Sequence, residues 1–77
     1  MSYRIQNTET GSIHESDQAE QIDGEIYIRF ADINAIGREG GEGGVLIHEE
    51  FLGPIPGDEV FLENPDTGDT IRFVTVS

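Results

Sequence analysis

Cysteine, tryptophan and lysine are all absent from this chain, and its longest uninterrupted apolar stretch is a few residues. Without cysteine there is neither a disulfide framework nor a thiol nucleophile. Without lysine there is no Schiff-base chemistry and no phosphate loop of the G-x-x-x-x-G-K-[ST] kind. Without an apolar run of about 20 residues there is no membrane-spanning helix. The polar start Met1-Ser2-Tyr3-Arg4 lacks the apolar region of a secretion signal, so the expected location is the cytoplasm or a virion.

Size sets a second limit. With 77 residues, 35% of them hydrophobic, the chain has room for a single domain spanning 1–77 and a thin core. Domains this small often gain stability from a metal, crosslinks or association, so an oligomer or membership of a larger assembly is expected.

What the chain has in abundance is carboxylate. Sixteen acidic residues stand against four arginines, for a formal charge of −12. Such self-repulsion weakens a compact state in dilute salt. At about 1 M salt the Debye length contracts to roughly 3 Å and most of that cost vanishes. The composition therefore fits a halophilic source, and the missing lysine fits a GC-rich one. High charge with low hydrophobicity is also the signature of disorder, but here the apolar residues are patterned.

The pattern is that of strands. Tyr3 and Ile5 on one side of Asn7-Thr8-Glu9-Thr10-Gly11 and Ile13 on the other predict a hairpin. In Glu25-Ile26-Tyr27-Ile28-Arg29-Phe30-Ala31, Ile26, Ile28 and Phe30 share one face at period two. Val45 to His48, Glu59 to Glu63 and Thr70 to Val76 complete five strand signals. The last two enclose Asn64-Pro65-Asp66-Thr67-Gly68-Asp69, which repeats the Asn-x-acid-Thr-Gly order of the first loop. Between Glu15 and Asp23 the chain is polar, and Asp17 with Glu20 has capping-box spacing for a turn or two of helix stopped by Gly24. The segment from Gly37 to Gly44 is too rich in glycine for a regular element, and Gly53-Pro54-Ile55-Pro56-Gly57-Asp58 reads as a rigid corner. The expected fold is all-β: a five- to six-stranded antiparallel barrel or sandwich of SH3-like or OB-like size, with at most one short helix.

Chemistry-bearing motifs are few. The glycine-rich segment has neither a lysine nor a G-x-G-x-x-G entry into a helix, and Glu39 and Glu42 would repel a phosphate. His14-Glu15 and His48-Glu49-Glu50 could hold zinc only if their strands lay side by side, because sequence neighbours on a strand face opposite ways. Solvated surface histidines are the simpler reading. Asn64, Asp66 and Asp69 offer oxygens, but not in the pattern of a calcium loop. No G-x-S-x-G elbow is present. No cofactor, metal or catalytic activity is expected.

Residues from Ile36-Gly37 to Val60, with Gly43, Phe51 and Pro56-Gly57-Asp58-Glu59-Val60, resemble the TRAM family of small RNA-binding β-barrels. The resemblance implies a barrel with a sharp corner at Pro56-Gly57-Asp58. Its RNA contacts are not carried over, since phosphate contacts need cations and this stretch supplies only Arg38 and His48 among several acids.

Two functional expectations follow. The first is a non-enzymatic assembly or interaction module, for instance a capsid decoration or head-tail connector protein. It would dock on itself or on a larger protein through strand edges and through Tyr3, Tyr27, Phe51, Arg38, Glu39 and Glu42. The second is an acidic mimic of nucleic acid that inhibits a defence or nucleic-acid-binding protein. It would use Glu49, Glu50, Glu59, Glu63, Asp66 and Asp69, because alternate strand positions lie roughly 6.6 Å apart, near the phosphate spacing of a single strand. Neither expects direct contact with nucleic acid or membrane.

Overall fold

Strand alternation decides which side chains meet inside. The computed structural model describes residues 2–34, 37–40, 43–53, 56–64 and 66–76. Its strands are β1 (Tyr3–Asn7), β2 (Ile13–Ser16), β3 (Ala19–Ile22), β4 (Glu25–Phe30), β5 (Val45–His48), β6 (Glu59–Glu63) and β7 (Thr70–Thr75). One 3₁₀ turn, Glu49–Phe51, follows β5. All pairings are antiparallel, in a four-stranded sheet of order β2-β1-β7-β6 and a three-stranded sheet of order β3-β4-β5.

The first sheet turns Ile5, Val60 and Phe73 inward and the second turns Ile28, Phe30 and Ile47 toward them. Ile33 and Leu52, from the connections, complete the buried cluster. Cross-strand register enforces the layout, with Ile28 opposite Ile47 and Val60 opposite Phe73. The sheets are joined along one flank. There the Ser16 hydroxyl donates to the carbonyl of Arg29, and the Arg29 amide donates to the carbonyl of Gln18 at 2.9 Å. On the other flank β5 and β6 are both edge strands, and no pairing closes the structure between them.

The all-β part of the barrel-or-sandwich expectation therefore holds, whereas a closed barrel is not formed among the described residues, which hold seven strands against the five or six expected. The extra strand is Ala19–Ile22, where a helical turn was expected. Asp23 and Gly24 decide the matter. Both have positive φ, 52° and 83°, the backbone that a two-residue hairpin turn demands and that ends a helix. They fold β3 back onto β4 with Ile22 opposite Glu25. The capping-box spacing of Asp17 and Glu20 is coincidental, since Glu20 instead receives the Arg29 guanidinium from the neighbouring strand.

The described residues of the two Asn-x-acid-Thr-Gly loops make matching hydrogen bonds. In the first, Asn7 Oδ1 accepts from the Glu9 amide at 2.8 Å and the Asn7 carbonyl accepts from the Gly11 amide at 2.8 Å. In the second, Asn64 Oδ1 accepts from the Asp66 amide at 2.9 Å and the Asn64 carbonyl from the Gly68 amide at 2.8 Å. Each threonine hydroxyl, of Thr10 and of Thr67, accepts an amide two residues on, at 3.2 and 3.3 Å. The asparagine side chain thus replaces a backbone acceptor, an Asx turn. Pro65 lies outside the described residues, as do Pro54 and Ile55 of the expected corner.

Candidate functional site

Two constellations hold the histidines, and they lie apart. His14 is on β2 beside β1, and His48 is on β5 beside β4, so the side-by-side arrangement that a shared zinc site would require does not form. Among the described residues no group of histidines and acids converges where a metal ion could sit.

His14 is a buried residue, 4% exposed, and not a solvated one. Its position follows from β-strand alternation, which turns His14 and Ser16 inward and Ile13 and Glu15 out. The ring packs edge-on to Phe73, with centroids 6.0 Å apart. Nδ1 lies 2.7 Å from Asp32 Oδ2, and Nε2 faces Glu39 Oε1 at 3.4 Å without forming a hydrogen bond. A bridge between Ile33 and Glu39, with the Gly40 amide donating to the carbonyl of Asp32 at 2.7 Å, sets the two carboxylates on either side of the ring. Hydrogen bonds from Ser12 and Thr10 hold the Glu39 carboxyl below its ordinary range, outweighing the opposing effect of burial. An Asp-His pair of this kind invites a catalytic reading. The buried Nε2, which would have to reach a substrate, has no access to one. Glu39, expected among the contact residues, is an exposed residue whose carboxylate faces the His14 ring.

The second constellation is open. Where β5 and β6 fail to pair, the surface forms a groove of about 500 Å³. That size is within the range of ligand and peptide sites, roughly 300–1,000 Å³. Tyr27 and His48, opposite each other in register, form one wall. Their rings meet edge to face at 5.1 Å, and Phe51 stands edge to face with His48 at 6.3 Å. Phe61 forms the opposite wall from β6. Phe51 and Phe61 are 53% and 57% exposed, an uncommon state for two phenylalanines in so small a chain.

Charge at the groove has one sign. Glu25, Glu50 and Glu59 line it, and no arginine does. His48 Nδ1 accepts the Glu50 amide hydrogen at 3.1 Å and so carries no proton of its own in this arrangement. The ring proton is on Nε2, which donates to Glu25 Oε2 at 2.5 Å.

The residues expected at a contact surface are thus divided. Tyr27 and Phe51 meet at the groove. Tyr3, on β1, is half-buried against the core. Arg38 reaches Asp69 at 3.4 Å, linking the glycine-rich segment to the β6–β7 loop, and Glu42 lies outside the described residues. Of the acidic set, Glu50 and Glu59 border the groove. Glu59 and Asp69 take arginine partners, Arg72 at 3.1 Å and Arg38. Glu49, Glu63 and Asp66 are exposed. Phe61 was missed, although Glu59-Val60-Phe61-Leu62-Glu63 signals it: alternation puts Phe61 on the same face as two glutamates.

No family model matches the chain, and neither a curated protein nor a solved structure is similar to it. The TRAM resemblance thus gains no support, and the chemistry of the groove is what bears on function. No helix among the described residues is long and apolar enough to cross a membrane.

Proposed function

We propose that this protein is a non-enzymatic interaction module whose contact face is the groove between β5 and β6. One observation carries the reading: two exposed phenylalanines and a half-buried tyrosine gather where β5 and β6, each the last strand of its sheet, border one groove. Aromatic side chains at a contact supply large buried area at small entropic cost, and strand edges supply amides and carbonyls for pairing. A structural accessory of a virion, such as a capsid decoration or a head-tail connector, from a halophilic or GC-rich source, is the biological setting that suits a small acidic module of this type.

The test is a selection of randomised displayed peptides against the wild-type protein and against the Phe51→Ser, Phe61→Ser double variant, with light scattering to detect self-association. Enrichment on the wild type that disappears in the variant supports the reading. A strict monomer that enriches no peptide defeats it.

The acidic-mimic alternative draws on Glu59 and Glu63 at alternate positions of one face of β6. Salt separates the two. A nucleic-acid mimic loses its partner as ionic strength rises, whereas aromatic docking persists.

A further inference from the structure

We propose that the partner is an extended, arginine-bearing segment of another polypeptide, which enters the gap between β5 and β6 as an added strand. The proposal rests on the interaction reading above and adds the chemistry of the occupant. Three features support it.

The first is charge complementarity. Glu25, Glu50 and Glu59 border aromatic walls, and no cation lines the groove. A guanidinium satisfies both features at once, because it stacks on an aromatic face while its planar fork grips a carboxylate.

The second is an arrangement within the protein that the occupant would repeat. Arg72 stands opposite Phe61 in the β6–β7 register and donates from Nη2 to Glu59 Oε1 at 3.1 Å. One guanidinium on an adjacent strand, itself outside the lining, thus already engages a carboxylate that borders the groove. Glu50 and Glu25, with side chains 67% and 58% exposed and no arginine partner among the described residues, are left for a second.

The third is backbone. Each strand bordering the gap has one side without a strand neighbour among the described residues. An incoming extended segment finds a ladder to join, and its alternate side chains, roughly 6.6 Å apart, all point toward the same wall. A second copy of this chain is a poor candidate. At a charge of −12 it is repelled, and all four of its arginines stand in intramolecular ion pairs, with Glu15, Glu20, Asp69 and Glu59.

The experiment titrates isotope-labelled protein with acetyl-Thr-Arg-Thr-Arg-Thr-Arg-amide, followed by amide chemical shifts. Saturable binding is expected, with shifts concentrated in β5, the 49–51 turn and β6. Phe61→Ser and, separately, Glu50→Gln should each weaken it about tenfold; both positions are exposed, so the fold is retained. Methylating alternate backbone nitrogens of the peptide, which removes its ladder donors, should do the same. Equal binding of the N-methylated peptide, equal binding of the peptide with glutamate in place of arginine, or shifts located elsewhere would each overturn the proposal. If acetyl-Thr-Leu-Thr-Leu-Thr-Leu-amide occupies the gap and the arginine peptide does not, the cationic partner is refuted while the interaction reading stands. If no peptide of any charge binds there, the cationic partner is refuted, and the interaction reading falls with it if the protein is also a strict monomer.

Discussion

His14 Nδ1 and Asp32 Oδ2 approach to 2.7 Å, joining a buried strand residue to the carboxylate of a loop 18 positions later in the chain. Among the described residues this is the only hydrogen bond made by the ring, because Nε2 has none. Asp32→Ala would leave the buried ring unsatisfied at both nitrogens. A loss of about 1–3 kcal/mol is expected, the usual cost of a stranded buried polar group. Urea unfolding of this variant beside Glu63→Ala, an exposed acid, checks it; equal midpoints would show that the pair contributes nothing.

Glu39 gives the fold an acid-sensitive contact. Its carboxyl is held below the ordinary value of 4.5, chiefly by the Ser12 and Thr10 hydrogen bonds. A depressed folded-state pKa contributes stability above the unfolded value and loses it as pH falls through the folded one. The stability difference between wild type and Glu39→Gln should therefore be constant from neutrality down to about that ordinary value and shrink below it. Glu20, lowered in the same direction by the hydrogen bond from Arg29, should behave alike in Glu20→Gln. Denaturant titrations across this pH range provide the measurement, and a difference that grows toward acid pH would reverse the assignment.

Gly44 has φ of 73°, and a Cβ there would meet the Phe30 carbonyl at 2.8 Å and the Ala31 Cα at 2.9 Å. Backbone strain and backbone collision act together, since neither neighbour is a side-chain end that could swing aside. Gly44→Ala should cost about 1–3 kcal/mol. Gly40→Ala, at similar φ but with open space around the added carbon, should cost less. Thermal melts of the pair isolate the collision.

Asn7 and Asn64 make equivalent hydrogen bonds at different depths, Asn7 being 2% exposed and Asn64 half-buried. Asn7→Ala should destabilise the protein by about 1–3 kcal/mol, because it strips acceptors from loop amides that water reaches poorly. Asn64→Ala should cost less. Equal losses would show that depth does not matter to this turn.

Salt should stabilise the whole molecule. With a charge of −12, raising sodium chloride from about 0.1 M to about 1 M cuts the screening length from about 10 Å to about 3 Å. The urea midpoint should rise over that range. A flat or falling midpoint would mean that the ion pairs, which the same salt weakens, outweigh the repulsion.

Much of the fold was legible because its information is local. The alternation of Ile26, Ile28 and Phe30 and the Asn-x-acid-Thr-Gly loops need no distant partner to be read. The hairpin at Asp23-Gly24 was equally local, but a capping-box spacing in a polar stretch competed with it, and the two-residue turn is the stronger physical constraint. The His14 site was not legible. Its carboxylates come from a loop folded on another part of the chain, and nothing beside His14 in sequence signals burial except the period-two pattern that makes Ile13 exposed. The groove was half legible: Tyr27 and Phe51 stood out as aromatics, while Phe61 was passed over although alternation sets it on the face of Glu59 and Glu63.

The pairing of β1 with β7 also has a consequence for how the chain acquires its structure. Ile5 faces Thr75 and Asn7 faces Phe73, so the centre of the larger sheet joins two segments from opposite ends of the sequence. Each flanking hairpin can zip up from its own tight loop, but the seam between them must wait until the chain through β7 has emerged from the ribosome. Until then the first hairpin has an unsatisfied interior edge, and the nascent protein depends on its carboxylates to stay dispersed.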